Sequence, residues 1–154
     1  MGKEKTWRKM ILKIIKHPDT FLRQGSHAIK EVGDNERKLI ADMLETMYDA
    51  NGIGLAAIQV GYNRRMCVLD TSPSKNNPIV MINPILKDKS VETLEMEEGC
   101  LSTPGKVGIV KRHLRIKVNY KCEHEKEYEK TFYDLYAQVI QHELDHMEGK
   151  LCIN

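Results

Sequence analysis

The stretch YAQVIQHELDHME, residues 136–148, decides how the rest of the chain is read. Val139, Ile140, Leu144 and Met147 recur at helical spacing, so the stretch predicts an α-helix. Residues four apart on a helix differ by about 40° in direction and about 6 Å in height. His142 and His146 can therefore present imidazole nitrogens to one metal ion. Glu143 projects about 100° round the axis, where it can hydrogen-bond a water on that ion instead of ligating it. The bland alternative is a polar helix with incidental histidines, and the apolar neighbours on both sides argue against it.

Mononuclear catalytic sites usually combine three protein ligands with one open position. Only eight residues follow His146, so a distant downstream ligand is not expected. Cys152 is the tenth residue after His142, the place of a third ligand in one class of H-E-x-x-H peptidase, and that reading stays open. The upstream candidate is Cys100 in EMEEGCLSTPG (95–105), at the end of a strand-like run. Cys67 sits in an apolar strand and reads as core. Cys122 and His124 in KCEHEKE (121–127) read as solvated edge strand.

The chain has 154 residues, 41% hydrophobic and 30% charged, which fits one globular domain over 1–154. A net charge of +2 gives no bulk attraction to nucleic acid, so no direct nucleic-acid binding is expected. No apolar run approaches the roughly 18–20 residues of a membrane span. The start, MGKEKT, matches a loose myristoylation pattern too short to carry weight, and the nearby Lys3, Lys5, Arg8, Lys9, Lys13 and Lys16 read as solvated charge. Four cysteines without a close pair read as free thiols in a reducing cytosol.

DNERKLIADMLETMYDANG (34–52) carries Leu39, Met43 and Met47 in one stripe and predicts an amphipathic helix. Asp34 or Asn35 is the expected N-cap, and Asn51-Gly52 the expected end. Strand-like runs follow at 66–70, 79–83, 91–97, 108–112, 115–120 and 126–133, with spacers too short for helical crossovers. ILKII (11–15) reads as a further short strand, or the edge of one, before a turn at Pro18. Helix, antiparallel strands, helix make an α+β domain. NGIGLAAIQVG (51–61) is not a nucleotide loop: its sixth motif position is Ala57, and it follows a helix. Its one polar side chain, Gln59, is either an ordinary amide or an oxyanion donor.

GIGLAAIQ (52–59), EGCLS (98–102) and QHELDH (141–146), in this order, together resemble the peptide deformylase family over nearly the whole chain. The resemblance implies antiparallel sheets around the final helix and hydrolytic removal of the formyl group from formyl-methionine at nascent N-termini. It implies metal ligands Cys100, His142 and His146, holding Fe(II) in the cell with Zn, Ni or Co able to substitute. Glu143 would act as general base and acid, with the Gln59 amide and the Leu101 N–H as oxyanion donors. Ile53, Gly54 and Gly99 would align the peptide as an added strand. Ile53, Leu135 and Val139 would line a methionine pocket with the His142 ring. Asp145 is expected to pair with Arg112 and brace the site. The implied setting is cytoplasmic, with transient ribosome association and no membrane. Ile58 stands where the family commonly has Pro or Thr, and Cys152 where a large apolar residue is usual. Many members continue into a C-terminal segment absent here, and residues 1–9 read as an extension.

Overall fold

The structure is a computed structural model and describes residues 8–153. The MGKEKT pattern, Lys3 and Lys5 lie outside the described residues. The first helix, α1, spans Asp34–Asp49. Its cap differs from expectation. Gly33 is the N-cap, and Glu36 Oε1 turns back to accept the Gly33 N–H at 2.8 Å, leaving Asp34 inside the first turn. The end is as expected. Asn51 takes a left-handed φ of 56°, and the Gly52 N–H bonds the Met47 carbonyl at 2.9 Å.

Strands β1 (Gly54–Ala56), β2 (Met66–Leu69), β3 (Ile79–Lys89), β6 (Arg115–Lys121) and β7 (Glu127–Tyr133) form one antiparallel sheet in the order β1-β2-β3-β6-β7. Between them, β4 (Thr93–Glu98) and β5 (Gly108–His113) make a separate two-stranded sheet. Helix α2, Asp134–Met147, follows β7 directly. The expected strand 79–83 runs on through Pro84 to Lys89. Asn83, at φ 51°, takes up a register shift, and its side chain holds both the N–H and the carbonyl of Ile29.

The two helices pack on opposite faces of the sheet. On the α1 side, Leu55, Met66, Val68, Val80 and Ile82 meet Leu39, Ile40, Met43 and Met47. On the α2 side, Ala56, Cys67, Leu69, Met81, Ile116 and Val118 meet Ala137, Val139, Ile140 and Met147. All four β2 residues are consequently buried, and alternation fails where both faces are covered.

ILKII is not a strand of either sheet. Its amides are taken elsewhere: Leu12 N–H by Thr46 Oγ1 at 2.8 Å, and Ile15 N–H by the Gln59 carbonyl at 2.7 Å. Leu12 and Ile14 pack against the α1-side core. The stretch is apolar as a strand would be, but side-chain and loop acceptors replaced a neighbouring strand.

Candidate metal centre

Helix α2 carries His142 and His146, and its Gln141 docks the hairpin beside them. The Gln141 amide brackets His113, accepting its N–H at 2.9 Å and donating to its carbonyl at 2.8 Å. This brings the end of β4, and Cys100 two residues beyond it, over the helix. Cys100 Sγ lies 3.3 Å from His146 Nε2, which lies 3.0 Å from His142 Nε2. All three donor atoms fall within 4.8 Å of one another. A soft thiol with two imidazoles is a donor set suited to Zn(II) or Fe(II).

The His142 tautomer is set from behind. Its Nδ1 donates to Glu98 Oε1 at 2.8 Å, leaving Nε2 for the cluster. Glu98 is in turn gripped by Arg112, whose Nη1 reaches Asp145 Oδ2 at 2.6 Å. Burial would raise the Glu98 pKa, but the Arg112 and His142 hydrogen bonds outweigh it and hold it at about 2. In the ion-free site burial opposes charge on His142 too, yet Cys100 and Glu98 carry its pKa up to about 11, and the Nε2 proton must leave for that nitrogen to ligate. Burial, then the His142 charge, pushes His146 down to about 3.

Glu143 is 2% exposed, and its Oε1 has no hydrogen-bond partner among the described residues. Burial raises its pKa to about 7. Its other oxygen lies against Gly54, where a Cβ would collide with it and come within 2.9 Å of Val139 Cγ1. An orphaned carboxylate oxygen beside three converging ligand atoms fits a metal ion with an activated water.

Gln59 sits in the 3-10 turn Ala57–Val60. Its Oε1 accepts the Ala56 N–H at 2.9 Å, which aims Nε2 at Ser102 Oγ (3.1 Å) and Cys100 Sγ (3.5 Å). Leu101 seats its side chain over Gly52, where a Cβ would meet Leu101 Cδ1 at 2.7 Å. A cavity of about 530 Å³ opens onto Cys100 and Leu101, with Gln59 and Ser102 buried behind that lining. Ile53, Gly54, Gly99, Leu135 and Val139 all line it, together with His142 and Glu143.

Cys152 is half-buried, with Sγ 3.7 Å from the Glu98 carbonyl. It clusters with Glu98 and His142 but not with His146, and Arg112 already occupies the Glu98 carboxylate. Cys122 accepts the His124 N–H at 3.4 Å within a local turn, and neither belongs to a metal-like cluster among the described residues.

Two residues escaped the sequence reading, Glu98 and Ser102. The signal for Glu98 was faint: along β4 Leu94 is exposed, Met96 half-buried and Glu98 alone buried, so only the last residue of that row turns inward. No comparable pattern marks Ser102.

A family model described as polypeptide deformylase matches residues 11–154. The peptide deformylase of Thermodesulfovibrio yellowstonii is 47% identical over 146 residues, covering 94% of this chain and 88% of that one. The crystal structure of a peptide deformylase from Legionella pneumophila superposes with a TM-score of 0.89 at 40% identity, covering 92% of this chain and 83% of the other. One from Ehrlichia chaffeensis, in complex with actinonin, superposes at 0.88 with 35% identity, covering 92% and 86%.

Proposed function

Because the chain belongs to the polypeptide deformylase family, we propose that Cys100, His142 and His146 hold its divalent ion and that Glu143 moves the proton in its reaction. The activity is hydrolysis of the N-formyl group from the N-terminus of newly made polypeptides. The observation that carries the residue assignment is the convergence of one sulfur and two Nε2 atoms beside an orphaned Glu143 oxygen.

A bound divalent ion supplies Lewis-acid polarisation and acidifies a coordinated water. Glu143, with a pKa near 7, accepts the proton of the attacking water and returns it to the leaving amine. The C–N bond of the formamide breaks, releasing formate and a free N-terminus. Gln59 Nε2 and the Leu101 N–H stabilise the oxyanion, a role in which losing one donor costs ~3–4 kcal/mol of barrier. Ile53, Gly54 and Gly99 pair with the peptide backbone as an added strand. Ile53, Leu135 and Val139 receive the methionine side chain. Arg112, braced by Asp145, orients Glu98 and through it His142.

Fe(II) is the ion we assign in the cell, with Zn, Ni or Co able to occupy the same donors. A cytoplasmic setting and transient ribosome association complete the proposal. No helix among the described residues is long and apolar enough to cross a membrane.

The test is formate release from formyl-Met-Ala-Ser by protein purified anaerobically. Wild-type protein is expected to turn over and Glu143→Ala to be inactive with its ion retained. Metal-loaded wild-type protein that releases no formate would overturn the reading.

A further inference from the structure

Behind the cavity wall lies a polar hub outside the reaction centre. Asp70, directly after β2, is 2% exposed. Its carboxylate accepts four hydrogen bonds, two at each oxygen. Oδ2 takes Tyr48 Oη at 2.6 Å and the Asn77 N–H at 3.1 Å, while Oδ1 takes the Ser72 N–H at 2.8 Å and Ser72 Oγ at 2.6 Å. A buried carboxylate with every acceptor site filled is a rigid fixture, since moving it strands several donors at once.

The fixture's own backbone faces the cavity wall. Asp70 N–H donates to the Ile53 carbonyl at 2.9 Å, one rung beyond the Gly54–Leu69 pair that ends the β1–β2 ladder. Ile53 and Gly54 line the cavity, and β1 is an edge strand of the sheet. The same loop reaches the wall a second time, where Lys75 Nζ meets Asn51 Oδ1 at 2.9 Å. Tyr48 anchors the hub to the last turn of α1, which leads into Asn51–Ile53.

We propose that Asp70 is a positioning residue for substrate. Locked by Tyr48 and Ser72, it holds the Ile53 carbonyl so that the edge of β1 meets the formylated peptide at a fixed height. Asp70 touches neither the metal ligands nor the reacting atoms, so its loss acts on peptide alignment and not on proton transfer. The inference rests on the deformylase reading of the cavity.

Tyr48→Phe and Ser72→Ala each remove a hydroxyl donor and keep the rest of the fold's packing. In both, amide hydrogen exchange at Asp70 is expected to quicken by about tenfold while Val118, in the middle of β6, is unchanged. KM for formyl-Met-Ala-Ser is expected to rise by about fivefold with kcat held within about twofold. A purely structural role would lower the active fraction, and so kcat, at constant KM. Unchanged exchange at Asp70 in both variants, or a fall in kcat with KM constant, would overturn the proposal. Wild-type protein that releases no formate is a separate failure, of the activity reading, seen before either variant is made.

Discussion

Arg112 meets both carboxylate oxygens of Glu98, through Nε at 2.7 Å and Nη2 at 2.6 Å, with both side chains buried. Such a pair is strongly destabilising to break from one side, because the remaining charge stays buried without a partner. Arg112→Leu is expected to cost ~3–5 kcal/mol in denaturant unfolding. It should also weaken the ion by ~10–100-fold in chelator competition, since His142 loses its oriented acceptor. Asp145 is half-exposed, so Asp145→Asn is expected to cost under ~1 kcal/mol. Equal losses in the two variants would contradict this ordering.

Gly54 is small because Glu143 and Val139 occupy the space a side chain would need. Gly54→Ala must displace the Glu143 carboxylate or the strand. The expected result is ~1–3 kcal/mol of destabilisation and a fall in kcat/KM of about 100-fold from misplaced chemistry. Full activity in this variant would mean that Glu143 need not sit where it does.

The sulfur ligand is tested by metal content. Cys100→Ala is expected to lose the ion on purification, whereas Cys152→Ala keeps a full complement. The reverse pattern would transfer the third ligand to Cys152. Ion binding should also stabilise by mass action, ~4 kcal/mol at a thousandfold excess over Kd. Chelation is then expected to lower Tm by about 10 °C.

Glu143 gives a pH signature in the metal-free protein. Its pKa rises from 4.5 unfolded to about 7 folded, so the native state holds the proton longer. The stabilisation from the neutral form is present below the unfolded value and is lost as pH rises through the folded one. Glu143→Gln is always neutral and escapes that loss. The Tm of the variant minus that of the wild type is expected to grow from pH 4.5 to 7 and level off above. A difference that stays flat across this range would show that Glu143 is not buried as a charged burden.

Much of this was legible in the sequence, for reasons that differ from residue to residue. The stripe of α1 survives because only one face of that helix is buried. The histidine pair is readable because a helix makes four-residue spacing a contact. ILKII misled because a short apolar run says that side chains are covered, not which acceptors receive the amides; Thr46 and Gln59 were the unseen partners. Glu98 needed the β4–β5 register, which sets Glu98 opposite Gly108 and Leu94 opposite Arg112. The Asp70 hub depends on Tyr48, 22 positions earlier on another element, and no local pattern joins the two.

The double-sided burial of β2 has a consequence for how the strand finds its place. In a sheet with one wet face, a slip of one residue throws oily side chains into water and is rejected. Between α1 and α2 that rejection is missing, since Met66, Cys67, Val68 and Leu69 are apolar on either side. The alignment must then be enforced at the ends. A slip would drag Asp70 off its four donors and break the Asn83 N–H from the Arg65 carbonyl, where it now sits at 2.9 Å. The greasy centre of this sheet is indifferent to its own register, and the polar bolts at either end keep the cavity wall in line.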